Sequence, residues 1–132
     1  MFKGLDHLAI IVTDTREALK IWHDRLGFPV LFSERVMEGK ILLTHLDLGN
    51  THLQLVEPLT EDHPLSDWLK VNGPGLRHFC LSVDNVGAAY EEVSKLGIAP
   101  GELKPHQGTQ GKRALFLDKA STGGVQVELT GI

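Results

Sequence analysis

Two stretches of the chain match each other, Leu5-Asp-His-Leu-Ala-Ile-Ile-Val12 and Leu76-Arg-His-Phe-Cys-Leu-Ser-Val83. Each is short and rich in branched apolar residues, which is typical of a half-buried β-strand. Each carries a histidine at the same place, His7 in the first stretch and His78 in the second. Self-similarity of this kind indicates an internal repeat, and the segments that follow the two strands extend it.

Both strands are followed by the signals of a helix. Asp14 with Glu17 resembles a capping box, and Gly27 closes the helix that they begin. In the second copy Asp84 or Asn85 can cap a helix that ends at Gly97. The apolar stripes between these signals are Ala18, Leu19, Trp22 and Leu26 in the first copy, and Val86, Ala89, Tyr90, Val93 and Leu96 in the second.

Three strand-like segments follow each helix. They lie at 29–36, 40–48 and 51–57 in the first copy, and at 98–104, 112–118 and 124–130 in the second. A segment rich in proline and glycine, typical of a linker, separates the copies. The prediction is one domain, 1–132, made of βαβββ repeats at 4–58 and 75–132 with a linker at 59–74. Pairing of two such units would bury the apolar sheet face that each exposes, so duplication for folding alone is one interpretation.

The composition is that of an ordinary globular protein, with 42% apolar and 23% charged residues in 132. A net charge of −4 argues against a nucleic-acid scaffold, because phosphate binding needs a basic face. Cys80 is the only cysteine, which favours a reducing compartment. The N-terminus lacks the layout of a signal peptide, and no apolar run approaches the roughly 18–20 residues that span a bilayer. We therefore expect a cytoplasmic protein that binds neither nucleic acid nor membrane.

Four polar residues stand at matched positions of the repeat. His7 and His78 lie in the two first strands, and Gln54 and Glu128 lie in the two third strands. Pairing of the copies about a pseudo-twofold axis would bring these four side chains together. Two imidazoles with side-chain oxygens suit a divalent ion such as Zn, Co, Ni or Mn. Structural zinc sites are usually rich in cysteine, so a set without thiolate indicates a catalytic ion with open positions.

Each of these residues also has an ordinary structural explanation. A lone histidine in a strand is more often a hydrogen-bonded polar side chain than a ligand. That explanation is preferred for His23, His45, His52, His63 and His106. Glu128 is the most unusual of the four, because a carboxylate among Val125, Val127 and Leu129 needs a partner.

Taken together, these residues resemble the vicinal oxygen chelate superfamily over residues 4–130, and methylmalonyl-CoA epimerases most closely within it. The stretches that carry the resemblance are Gln54-Leu-Val-Glu-Pro-Leu59, Gly75-Leu-Arg-His-Phe79 with Val83-Asp-Asn85, Gly111-Lys-Arg-Ala-Leu-Phe-Leu117 and Ser121-Thr-Gly-Gly-Val-Gln-Val-Glu-Leu129. The resemblance implies an α+β glyoxalase-like fold, in which paired βαβββ units form an open, β-barrel-like cavity. A homodimer is a further expectation.

The resemblance also implies a function and a set of site residues. His7, Gln54, His78 and Glu128 correspond to the ligands of one divalent ion per chain. The implied reaction interconverts methylmalonyl-CoA stereoisomers by removing the α-proton through a metal-stabilised enolate. Glu128 is then the candidate base and Glu38 a candidate second acid/base. Lys112 and Arg113 follow a glycine-rich segment, and they either meet the phosphates or carboxylate of an acyl-CoA or are solvated turn charges.

The sequence departs from the epimerase pattern at three places. Arg77 stands where a second histidine is usual, and Asp118-Lys119 replaces a His-Pro pair. Apolar residues at 41–43 occupy the segment where some members carry a second glutamate. One alternative is a glyoxalase I, which would use the same ligands on a thiol-adduct substrate. A binding or resistance protein is disfavoured because all four ligands are present. An extradiol dioxygenase is disfavoured because its iron site uses two histidines and one carboxylate, which leaves Gln54 as an unneeded fourth ligand.

Overall fold

The computed structural model describes every residue from Met1 to Ile132. Its strands are β1 (Phe2–Ile11), β2 (Val30–Val36), β3 (Ile41–Asp47), β4 (His52–Pro58), β5 (Gly75–Val83), β6 (His106–Gln107), β7 (Arg113–Phe116) and β8 (Val127–Gly131). Its helices are α1 (Thr15–Leu19), continued by a π-helical segment (Lys20–Arg25), α2 (Pro64–Asn72), α3 (Val86–Lys95) and a 3-10 turn (Lys119–Thr122). None of these helices has the length and apolar character needed to cross a membrane.

The chain forms two compact units, and one of them is discontinuous in sequence. The middle unit comprises Leu8–Arg77. The terminal unit combines Met1–His7 with His78–Ile132. Residues at the start of β1 therefore belong to the same unit as the C-terminal half of the chain, and His7 is the last of them.

In the middle unit the strand order is β2-β3-β4-β1. Strand β3 runs antiparallel to both β2 and β4, in a register that places His45 opposite Gln54. The Asp14 carboxylate caps α1 by accepting from the backbone N–H groups of Arg16 and Glu17, as the sequence predicts. Helix α2 begins at Pro64, where the missing N–H costs no helical hydrogen bond.

The middle unit buries two groups of apolar side chains. One contains Ala9, Ile11, Val36, Ile41, Leu43 and Val56, with Leu65, Trp68 and Leu69 of α2 packed against it. The other contains Val12, Leu46, Leu53 and Leu55, with Ala18, Leu19 and Trp22 packed against it. Each helix of this unit thus covers a different part of its sheet.

In the terminal unit the strand order is β1-β5-β8-β7-β6. Strand β5 is parallel to β8, with Cys80 opposite Glu128, and β7 is antiparallel to β8, with Phe116 opposite Glu128. Side chains alternate between the two faces of a strand. The odd-numbered ones pack against α3 and form the core of this unit: Phe79, Leu81, Val83, Leu115, Leu117, Val127 and Leu129, with Val86, Ala89 and Val93 of the helix. The even-numbered side chains, Glu128 among them, therefore point to the opposite face.

One predicted strand is not formed. The segment 98–104 consists of turns with a single bridge, Pro100 to Leu117, and the strand in this region is the short β6. Proline has no backbone N–H, so Pro100 and Pro105 each remove a donor that a strand ladder would need. Gly101 instead comes so close to β7 that a Cβ there would lie 2.9 Å from the carbonyl oxygen of Leu117.

Candidate active site

Three of the predicted metal ligands converge in the terminal unit. The Nε2 atoms of His7 and His78 lie 3.4 and 3.2 Å from the same oxygen, Oε1 of Glu128. The two imidazole rings stand edge to face, with centroids 5.8 Å apart. One donor atom from each of the three residues lies within 4.8 Å of the other two. His7 and Glu128 are buried, and His78 is partly buried.

The strand register explains this convergence. Cys80 of β5 lies opposite Glu128 of β8, and His78 is two residues before Cys80 on the same face of β5. His78 therefore comes within reach of the carboxylate. His7 arrives from β1, the neighbour of β5 on its other side. A buried carboxylate is stable only when it is paired, and His7 and His78 both face that of Glu128.

Asp6 fixes the orientation of the His7 ring. Its Oδ2 lies 2.7 Å from Nδ1 of His7, and its Oδ1 accepts from the Ser82 hydroxyl at 3.2 Å. Because a carboxylate accepts, Nδ1 of His7 carries a hydrogen, and Nε2 is the nitrogen that would bind an ion after losing its proton. A carboxylate behind a ligating histidine is the usual support of a metal-binding imidazole.

His106 is a third histidine at this carboxylate, although the sequence favours an ordinary structural role for it. Its Nε2 lies 3.0 Å from Oε2 of Glu128, and its Nδ1 lies 2.9 Å from both carboxylate oxygens of Glu102. Its ring stacks on Phe116, with centroids 5.2 Å apart. The available signal was weak, a glutamate in the predicted strand 98–104 and a histidine four residues after it.

The charges of the site are coupled. Burial raises the pKa of Glu128, but His106, His7 and His78 outweigh that effect and hold it well below its usual value. Burial lowers the pKa of His7, while Asp6 and Glu128 oppose it and bring the pKa to about 9. The pKa of His106 is also about 9, since Glu102 and Glu128 outweigh the effect of its burial. Glu128 is therefore ionised at neutral pH.

Cys80 lies beside this cluster and is fully buried. Burial is the main cause that raises the pKa of its thiol, and the carboxylates of Glu128 and Asp6 raise it further. A protonated, buried thiol is neither a nucleophile nor an anionic ligand at neutral pH. Without an ion, the acid–base chemistry of the site therefore depends on imidazole and carboxylate groups.

The fourth predicted ligand, Gln54, lies in the middle unit and is buried there. Its Nε2 is 3.0 Å from Nε2 of His45, and Nδ1 of His45 is 2.9 Å from Nδ1 of His52. The amide can only donate at Nε2, so Nε2 of His45 accepts and Nδ1 of His45 donates to His52. This chain of hydrogen bonds fixes which way the Gln54 amide faces.

The remaining predicted residues are more exposed. Glu38 is exposed, in the turn between β2 and β3, with a left-handed backbone (φ 58°). Lys112 and Arg113 are exposed at the start of β7, and the charge of Lys112 contributes to lowering the pKa of Asp6. Arg77, at the position where epimerases usually have histidine, places its guanidinium 5.5 Å from the centre of a Trp68 ring.

The donor set of the terminal unit fits a divalent ion. Nε2 of His7 would bind an ion after losing its proton, Glu128 offers an ionised oxygen at Oε1, and the Nε2 of His78 faces the same oxygen. Nδ1 of His78 is buried without a hydrogen-bond partner, whereas Nε2 donates to Oε1 of Glu128 at 3.2 Å, where a bound ion would take the place of that hydrogen. Two imidazoles and a carboxylate are donors that Zn, Co, Ni and Mn accept.

Comparison with known proteins places the chain in a family. The family model described as "Glyoxalase/Bleomycin resistance protein/Dioxygenase superfamily" matches residues 4–129. "Methylmalonyl-CoA epimerase, mitochondrial" of Mus musculus is 34% identical over 126 residues, which cover 95% of this chain and 71% of the relative. "Ethylmalonyl-CoA/methylmalonyl-CoA epimerase" of Cereibacter sphaeroides is 30% identical over 131 residues and covers 98% of each chain.

A solved structure shows the same architecture. Streptomyces coelicolor methylmalonyl-CoA epimerase, a variant in complex with 2-nitronate-propionyl-CoA, aligns with a TM-score of 0.89 and 27% sequence identity, covering 99% of this chain and 98% of that chain. This agreement confirms the predicted α+β, glyoxalase-like fold. The chain therefore belongs to the glyoxalase/bleomycin resistance protein/dioxygenase superfamily.

Proposed function

We propose that the protein is a methylmalonyl-CoA epimerase-like isomerase, which inverts the configuration of an acyl-CoA at its α-carbon. The observation that carries the proposal is the buried, ionised Glu128 with His7 and His78 on one of its oxygens. The reaction removes a weakly acidic proton next to a thioester carbonyl and returns it to the other face. It therefore needs a base and a means of stabilising negative charge on the carbonyl oxygen.

The side chains of the terminal unit provide these functions. His7 and His78, with Glu128 Oε1, would hold one divalent ion, and Gln54 remains the predicted fourth ligand. A bound ion supplies Lewis-acid stabilisation of the negative charge that develops on the substrate oxygen. Glu128 is the proposed base, acting as a ligand whose Oε1 would loosen from the ion, because it is the carboxylate of the donor set and is ionised at neutral pH. Asp6 keeps the donor nitrogen of His7 available.

Two parts of the proposal come from the sequence. Glu38 remains the candidate for the second acid/base, and Lys112 and Arg113 remain candidates to bind the phosphates or carboxylate of the coenzyme ester. The exposure of both cations suits contact with a phosphate at the edge of a site. Assembly as a homodimer and a cytoplasmic location also remain predictions.

Exchange of the substrate α-proton is the test. Protein loaded separately with Co, Zn, Ni or Mn is incubated with methylmalonyl-CoA in heavy water, and deuterium uptake is followed by mass spectrometry. The same samples are offered methylglyoxal with several thiols, the substrate of a glyoxalase I. Deuterium uptake that a chelator abolishes supports the epimerase. Turnover of the hemithioacetal without deuterium uptake would replace the epimerase with the glyoxalase.

A further inference from the structure

Oε2 of Glu128 is bound by His106, which is in turn bound by Glu102, and the proposed reaction gives neither residue a role. We infer that Glu102 and His106 are positioning residues, which bind Oε2 of Glu128 and leave Oε1 as the one carboxylate oxygen offered to His7, His78 and an ion between them. The inference rests on the metal site of the proposed function. It adds a specific claim, that Glu128 binds the ion through a single oxygen.

The hydrogen bonds give the pair a fixed direction. Nε2 of His106 lies 3.0 Å from Oε2 of Glu128, and Nδ1 lies 2.9 Å from both oxygens of Glu102. A carboxylate only accepts, so each ring nitrogen donates to the oxygen that it faces. The ring therefore bridges two carboxylates and cannot turn without breaking a bond at each end.

The pair is itself anchored. Oε2 of Glu102 accepts from the backbone N–H of Phe116 at 2.8 Å, which ties it to β7. The ring of His106 stacks on Phe116 with an angle of 20° between the planes. The ring of Phe116 also meets His78 edge-on, with centroids 5.1 Å apart. Phe116 thus contacts both a metal-ligand candidate and the residue that orients Glu128.

Burial makes the arrangement necessary. The Glu128 side chain is only 10% exposed, so water cannot replace the donor at Oε2. Without His106, Oε2 would be left without a hydrogen-bond donor, or the carboxylate would rotate away from its present orientation. Either change would cost free energy. Residues of this kind, which support a ligand from behind, typically change metal affinity by about 10–100-fold when they are replaced.

The test compares two substitutions of His106. His106→Leu removes both donors, whereas His106→Gln keeps an amide N–H that can reach Oε2. Affinity for Co(II) is measured by competition with a chromophoric chelator, and the visible spectrum of the bound Co(II) reports its coordination. We expect His106→Leu to weaken binding by about 10–100-fold and to alter the spectrum. His106→Gln should recover most of the affinity and the wild-type spectrum.

Two further variants complete the experiment. Glu102→Gln keeps the shape of the anchor but weakens it, so a smaller loss of affinity is expected, and it replaces His106→Leu if that variant does not fold. His23→Gln is the matched control, because His23 is exposed and bonds only the carbonyl of Phe28 in the middle unit. Its affinity and spectrum should equal those of the wild type.

The outcomes separate this inference from the proposed function. Wild-type affinity and spectrum in His106→Leu would overturn the inference, even if the protein exchanges the α-proton of methylmalonyl-CoA. Equal losses in His106→Leu and His106→Gln would also overturn it, because the donor would then not matter. The expected losses in a protein that exchanges no α-proton would support the inference and reject the epimerase. A wild type that binds no Co(II) would overturn both.

Discussion

Raising the pH from about 6 to about 9.5 should destabilise the metal-free protein, because the buried His7 and the partly buried His106 lose the protons that bind them to Glu128. The folded-state pKa values of His7 and His106 are both about 9, above the ordinary value of 6.5. A group whose pKa is raised by folding stabilises the protein fully at a pH below its unfolded-state pKa. That stabilisation is lost as the pH rises through its folded-state pKa. Glu128 has a lowered pKa, so its own contribution is lost only in acid.

The magnitude follows from the shift of one histidine. A change from 6.5 to about 9 in the pKa of His7 corresponds to about 3 kcal/mol of unfolding free energy. The His7 side chain is only 4% exposed, so solvent screens this interaction little. Since His7 and His106 share Glu128, their contributions do not simply add. The expected loss is therefore about 3 kcal/mol or somewhat more.

Urea unfolding of chelator-treated protein measures this loss across the pH range. His106→Gln should reduce the pH dependence, and Glu128→Gln should reduce it further, because both histidines then lose a charged partner. Protein saturated with Co(II) should behave oppositely, since protons compete with the metal for its ligands and binding strengthens as pH rises. An unfolding free energy of the metal-free protein that is the same at about pH 6 and about pH 9.5 would refute the coupled charges described above.

Three further predictions concern the terminal unit. Glu128→Gln should slow α-proton exchange of methylmalonyl-CoA by at least ~10²-fold at matched metal occupancy, and an unchanged rate would move the base elsewhere, with Glu38 next to test. Leu115→Ala should cost about 2–5 kcal/mol in urea unfolding, because Leu115 is fully buried, while Leu103→Ala at a 99% exposed position should stay within about 0.5 kcal/mol. Gly131→Ala should destabilise by about 1–3 kcal/mol, because its Cβ would overlap the carbonyl oxygen of Val83, and a wild-type melting temperature would contradict that crowding.

The metal-ligand candidates could be predicted because local sequence carries their signal. His7 and His78 sit at the same place in two matched strands, and Glu128 is a carboxylate among apolar residues. Strand alternation then fixes the face on which each side chain lies. The structure brings His7, His78 and Glu128 together, while Gln54 as a ligand remains a prediction.

His106 could not be found in the same way. It lies in a two-residue strand after a segment predicted to be regular, and its contact with Glu128 depends on the pairing of β6 with β7 and of β7 with β8. Two prolines and the close approach of Gly101 to Leu117 set the path of that segment. No periodic pattern in the sequence predicts this path. The π-helical continuation of α1 was also not predicted, because the spacing of its apolar residues is compatible with an ordinary α-helix.

The most direct test of the metal centre is anomalous diffraction at the cobalt absorption edge, from crystals of the Co(II)-loaded protein. We predict one strong peak per chain, within roughly 2.0–2.3 Å of Nε2 of His7, a ring nitrogen of His78 and one oxygen of Glu128. The other oxygen of Glu128 should remain hydrogen-bonded to His106. A peak at any other group of residues, or the lack of a peak from fully loaded protein, would contradict the assignment of this cluster as the metal centre.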